Sequence, residues 1–123
     1  MIIGIGTDLI EVARLEKSIG KPGFLTRIFT AKELEICEHK QSRIQSLAAR
    51  FAAKEACMKA MGTGWTEGVG FQEIEVLNNE NGAPQVYLHG KTSAKAKKLG
   101  VTHIYISLSH LKEMATATVI LEK

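Results

Sequence analysis

At 123 residues, with 45% hydrophobic and 24% charged side chains, the chain reads as one globular domain, residues 1–123, able to bury roughly two-thirds of its unfolded surface. Its formal net charge of +3 suits an acidic partner or a phosphorylated ligand, and equally suits a merely lysine-rich, solvated surface. No run approaches the length of a membrane span, and the apolar start Met1 to Ile5 is too short for a signal peptide.

The chain opens MIIGIGTD. Residues 2–7 predict a short strand, followed by a helix from about Leu9 to Ser18 with Leu9, Val12, Ala13 and Leu15 at periodic positions. Asp8 and Glu11 have capping-box spacing, so Asp8 can cap this helix while leaving a carboxylate near the rim of the sheet. The glycines do not open a dinucleotide loop, because leucine stands at residue 9 where that fingerprint needs its third glycine. "GKPG" at 20–23 ends the helix. "FTAKELEICEHK" starts the next one, with Thr30 as cap and Glu33 completing a second capping box. The longest helix runs from Ser42 to Met61, with Ile44, Leu47, Ala48, Phe51 and Ala52 at helical spacing, and "GTG" at 62–64 stops it. Cys37 and Cys57, the only cysteines, fall in helical patterns without forming a close pair, which predicts a reduced, cytoplasmic chain.

The period changes in the second half. Phe71, Ile74, Val76 and Leu77 suggest a strand, "NNENGAP" supplies an Asn-Gly turn, and "QVYLH" returns as the second arm of a hairpin. A short lysine-rich helix covers Thr92 to Leu99, and "HIYISLSH" and "MATATVILE" are two further strands. The fold class is α+β, with helices gathered in the first half and packed on a small, mostly antiparallel sheet that the N-terminal strand joins.

The stretch "RFAAKEACMKAMG", residues 50–62, carries the chemistry. Phe51, Glu55 and Lys59 lie four apart and stack on one helical face. Glu55 and Lys59 also have the spacing of an ordinary surface ion pair. Against that reading, Phe51 turns the stripe partly inward, alanines at 52, 53, 56 and 60 keep the helix narrow, and Arg50 and Lys54 add positive charge nearby. A carboxylate and an ammonium on a half-buried cleft, joined by a second carboxylate, suit Mg²⁺ bound together with phosphates.

"GIGTDLIEVARL", "RFAAKEACMKAMGTG", "FQEIEV", "NGAP" and "SLSH" stand in order at compatible spacing from Ile3 to Glu122. Together they resemble the holo-acyl-carrier-protein synthases, the small single-domain branch of the 4′-phosphopantetheinyl transferases. Ala52 stands where the wider superfamily often has Ser, Thr or Cys, a departure that fits the small branch. The resemblance implies transfer of phosphopantetheine from coenzyme A to a serine of apo-acyl carrier protein, in fatty acid biosynthesis, with adenosine 3′,5′-bisphosphate as the other product. It implies Asp8 and Glu55 as ligands of Mg²⁺, and Lys59 as the group that offsets charge on the diphosphate. Arg50 and His110 become contacts to the coenzyme's phosphates, with Lys40 and Arg43 as further candidates. Gly82 and Pro84 of "NGAP" fall near its adenine. The resemblance also implies a homotrimer with active sites between subunits. The basic residues Arg14, Lys17 and Arg27 offer a dock for the acidic carrier, Arg14 foremost.

The base that takes the serine proton stays open among Asp8, Glu55 and a metal-bound water. Two other functions compete with transfer. An RNA-binding module would use the basic charge and the lysine helix, but aromatics make up only 6% of the chain and no base-stacking motif appears. A Mg²⁺-dependent phosphohydrolase would use the same carboxylates to activate water. Neither nucleic acid nor a membrane is an expected partner.

Overall fold

The first strand, β1, spans Ile2–Glu11 and so continues past residue 7. Helix α1 (Val12–Ile19) starts correspondingly late, with Glu11 at its N-cap and no side-chain cap bond. The expected helix cap at Asp8 is therefore wrong: Asp8 is a strand residue. The cause is tertiary. Asp8 to Glu11 pair antiparallel with Ala117 to Met114 of β5 (Met114–Glu122), and a run of ladder hydrogen bonds outweighs one side-chain cap.

Residues 1–63 and 70–123 are described in the computed structural model; Gly64, the last residue of the expected "GTG" stop, lies outside them. After α1 a short helix that the sequence pattern did not signal, α2 (Phe24–Ile28), follows Gly23, whose φ of 79° favours glycine. Helix α3 (Ala31–Glu38) carries the expected capping box. Its Thr30 Oγ1 accepts from Glu33 N at 3.2 Å, and Glu33 Oε1 accepts from Thr30 N at 2.9 Å. The long helix α4 (Arg43–Ala60) matches its predicted span to within a residue at each end. Phe71–Glu73 forms a single 3₁₀ turn, and the expected strand begins after it as β2 (Ile74–Asn78). The predicted hairpin partner β3 (Pro84–Leu88), helix α5 (Gly90–Leu99) and strand β4 (His103–His110) complete the chain before β5.

The strands form two sheets rather than the single one expected. Antiparallel β1-β5-β4 is one, and the β2-β3 hairpin is the other. β3 lies against β4 without a hydrogen-bonded ladder, and that seam opens into a cleft. Helix α4 packs on the inner face of the larger sheet. Ala52, Ala53, Ala56, Cys57 and Ala60 meet Ala117, Val119 and Leu121 in the core. On β5 the inward residues are thus Val119 and Leu121, while Thr118 and Ile120 turn to the outer face. Among the described residues no helix is long and apolar enough to cross a membrane.

The opening glycines set the distance between β1 and α4. A Cβ at Gly4 would overlap the carbonyl oxygen of Ala60, and one at Gly6 would overlap that of Ala56. Two residues of strand advance about 6.7 Å, and four residues of helix advance about 6 Å. Strand and helix therefore stay in step, Gly4 beside Ala60 and Gly6 beside Ala56. The next inward position on β1 is Asp8, which the same progression carries toward the Phe51–Glu55 stretch of α4.

Candidate active site

Asp8 and Glu55 line one cleft of about 310 Å³, with Leu9, Ile10, Arg14, Leu15, Ser18, Phe24 and Phe51. β1 contributes the aspartate, α4 the glutamate, and α1 the arginine at the rim. The floor is aromatic: Phe51 stacks on Phe71 with ring centroids 5.4 Å apart, and Phe24 lies 6.3 Å from Phe51. Burial pushes the Glu55 carboxyl up from its ordinary value, the Asp8 charge adds to that, and Lys59 partly opposes it. Two carboxylates that repel each other across a cleft are a site for a cation. Mg²⁺ asks for one or two protein carboxylates and leaves its other positions to water and phosphate, so this pair fits it. Among the described residues no group of three or more His, Cys, Asp or Glu gathers into an all-protein cage.

Lys59 does not form the helical ion pair with Glu55 that its spacing allowed. Its Nζ lies 3.1 Å from Asp8 Oδ1 and donates to Thr7 O at 3.0 Å. The lysine side chain is 55% exposed and that of Asp8 16%, so Lys59 is free to turn toward a ligand at small cost.

A second cleft of about 340 Å³ lies between α4, the β2–β3 turn and β4. It gathers Lys40, Ser46, Arg50, Asn78, Gly82, Pro84, Ser107 and His110. The expected coenzyme contacts Arg50, Gly82, Pro84 and His110 thus come together, but away from Asp8 and Glu55. Arg50 and Glu55 are five positions apart, which puts them about 140° apart around the helix. Lys17 and Arg27 are exposed on α1 and α2 and line neither cleft.

Arg50 and Lys54 are both buried, at 3% and 0% exposure, so neither is a free surface charge. The expectation that Lys54 adds positive charge to the site is corrected. Its Nζ donates to Glu33 Oε1 at 2.8 Å, Phe71 O at 2.8 Å and Ile74 O at 2.6 Å. Arg50 differs, since its acceptors are all neutral, and among the described residues no carboxylate pairs with it. A buried cation without a counter-ion is costly unless something anionic completes it. The sequence reading missed Phe24, Ser46 and Asn78; the strand-disfavoured asparagine at the end of IEVLN is the signal that could have flagged Asn78.

A small α+β protein thus carries two clefts, one that couples two carboxylates and another that holds a guanidinium with neutral acceptors among the described residues. A sequence model described as the 4′-phosphopantetheinyl transferase superfamily matches residues 4–119, and the chain belongs to that superfamily. The holo-[acyl-carrier-protein] synthase of Solibacter usitatus is 48% identical over 99% of each chain. The crystal structure of the Neisseria meningitidis holo-[acyl-carrier-protein] synthase superposes with a TM-score of 0.90, at 33% identity and 100% coverage of both chains. The Bacillus anthracis synthase, solved in complex with coenzyme A (3′,5′-ADP), gives 0.81 at 40% identity, covering 98% of this chain and 96% of its own.

Proposed function

We propose that this chain moves the 4′-phosphopantetheine group of coenzyme A onto a serine of apo-acyl carrier protein, the reaction of a holo-acyl-carrier-protein synthase. The observation that carries the reading is the pair Asp8 and Glu55, coupled across one cleft with Lys59 beside them, in a chain of this family. The serine oxygen forms a bond to the pantetheine-side phosphorus, the bond to the bridging oxygen of the diphosphate breaks, and adenosine 3′,5′-bisphosphate departs with that electron pair. Asp8 and Glu55 would hold Mg²⁺, which supplies polarisation of the diphosphate and neutralises its charge. The serine proton passes to one of the cleft carboxylates or to a water held there. Lys59 turns from Asp8 to the departing phosphate as negative charge builds there.

Arg50 and His110 receive the phosphates of the nucleotide end, and Gly82 and Pro84 border its adenine. The two clefts share no lining residue. One coenzyme molecule then takes its metal ligands from one copy of the chain and its nucleotide pocket from another. The outer face of the larger sheet offers the contact, with Ile5 65%, Leu9 64% and Tyr105 50% exposed. A homotrimer with active sites between subunits is the assembly this reading carries. Arg14 at the cleft rim, with Lys17 and Arg27 exposed on the adjoining helices, makes the basic border at which an acidic carrier docks. Both cysteines are unpaired thiols, in keeping with the cytoplasm as the setting.

The test is to incubate the protein with coenzyme A, Mg²⁺ and apo-carrier, then weigh the carrier by mass spectrometry. One added phosphopantetheine is the expected result. An unmodified carrier with coenzyme A hydrolysed would instead make the chain a phosphohydrolase. Lys59 gives a sharper check. Lys59→Ala should slow turnover by about a hundredfold or more, as loss of one preorganised electrostatic contact does, and hardly move Tm. Lys59→Arg should keep partial activity, because it retains the charge with a different shape and reach. Near-wild-type rates from both variants at saturating coenzyme A would remove Lys59 from the reaction.

A further inference from the structure

Asparagine is depleted in strands, yet Asn78 closes β2, exposed and opposite Pro84. Its side chain reaches the buried guanidinium of Arg50, where Oδ1 accepts from Nη2 at 3.2 Å. The other acceptors of Arg50 come from different elements. Nε donates to Val76 O at 3.1 Å on β2, and Nη1 donates to Ser46 Oγ at 2.9 Å and Ser46 O at 3.4 Å on α4. A guanidinium has five N–H groups in a rigid fork. Nη2, the nitrogen that Asn78 holds at the second cleft, carries two of them and makes one bond among the described residues. The neighbouring Asn79 does a separate job. Its Oδ1 accepts from Asn81 N at 2.9 Å and Ala83 N at 3.0 Å, folding the turn that presents Gly82 and Pro84.

We propose that Asn78 is a positioning residue for the nucleotide end of the coenzyme: by holding Nη2 of Arg50 at the cleft wall, it keeps the guanidinium aimed at a phosphate before the ligand arrives. The inference rests on the proposed reading of that cleft. A guanidinium already held in place loses little freedom on binding. Neutral acceptors orient it without cancelling its charge, whereas a carboxylate in the place of Asn78 would have spent that charge inside the protein. Asn78 therefore acts on affinity for the coenzyme and takes no part in the transfer step.

The probe is adenosine 3′,5′-bisphosphate, titrated calorimetrically into the wild type and Asn78→Ala, so that the readout is independent of turnover. Asn78→Ala should bind about tenfold more weakly, the range for having to order one long side chain on binding. KM for coenzyme A should rise by the same factor, with kcat at saturation unchanged within about twofold and Tm nearly constant. In an Arg50→Met background, Asn78→Ala should cost nothing further. If Arg50→Met does not fold, Arg50→Lys, which keeps the charge without the fork, takes its place. Unchanged binding by Asn78→Ala, or an equal loss in both backgrounds, would overturn the positioning role while the cleft assignment stood. A wild type that does not bind the bisphosphate, or Arg50 variants that bind it normally, would overturn the cleft assignment and the inference together.

Discussion

Glu55→Gln should abolish transfer, erase stabilisation by Mg²⁺, and yet leave the metal-free protein more resistant to heat at neutral pH than the wild type. The three effects have one source. Burial, followed by the charge of Asp8, raises the Glu55 carboxyl above its ordinary value. A carboxyl raised in the folded state holds its proton more tightly there than in the unfolded chain. Its contribution to stability is complete below the ordinary glutamate value and is lost as pH climbs through the raised folded value. As pH rises toward neutral the metal-free protein loses that contribution, because the half-buried carboxylate faces another one. Glutamine removes that cost, and with it a ligand that a divalent cation needs. Thermal melts from acid to neutral pH, with and without Mg²⁺, read the last two effects: wild-type Tm rises on adding the ion by ligand linkage, and the variant's does not. The carrier-mass assay reads the first. A Glu55→Gln protein that keeps its Mg²⁺-induced rise in Tm and turns over normally would return Glu55 to the status of an ordinary helix-surface acid. Asp8→Asn should behave as Glu55→Gln does toward the ion, since both residues line the cleft.

What could be read from the sequence follows how locally each feature is determined. The Thr30–Glu33 capping box, the Asn-Gly hairpin and the two C-terminal strands are set by residues within a few positions of each other, and they form as expected. The end of β1 is not local. Asp8 to Glu11 are held in a strand by Ala117 to Met114, more than a hundred residues away, so a convincing capping pattern gave way to distant pairing. Helical spacing alone put Phe51 and Glu55 on one face, and that face does line the cleft with Asp8. Spacing could not say which cations on α4 would be buried. Arg50 and Lys54 look alike in sequence, but one is completed by Glu33 and the other is left with neutral acceptors. Only the positions of Glu33, Val76 and Asn78 around the helix make that distinction. The split into two sheets was hidden for the same reason, because every strand has an adequate alternating pattern whichever neighbour it pairs with.

Lys54→Met should be strongly destabilising. Lys54 ties α4 to Glu33 on α3 and to the carbonyls of Phe71 and Ile74, all within 2.8 Å. Burial lowers the pKa of its ammonium, and the charge and hydrogen bond of Glu33 act in the opposite direction. Methionine fills the space but leaves the Glu33 carboxylate at 0% exposure with no cation. Breaking a buried pair from one side costs about 3–5 kcal/mol, against a total stability of about 5–15 kcal/mol for a domain of ordinary stability. Glu33 still accepts from Thr30 N and Val76 N, so glutamine at 33 can keep an acceptor there while removing the charge. The double variant Glu33→Gln/Lys54→Met should therefore be more stable than Lys54→Met alone, a reversal that urea unfolding of both proteins would measure. A loss below about 1 kcal/mol for Lys54→Met would mean that the carboxylate finds its proton or water without the lysine. Because Phe71 stacks on Phe51 beside Glu55, the double variant, once folded, should retain carrier modification in the presence of Mg²⁺. Loss of transfer in a stably folded double variant would instead show that buried Lys54 is needed at the cleft as well as in the core.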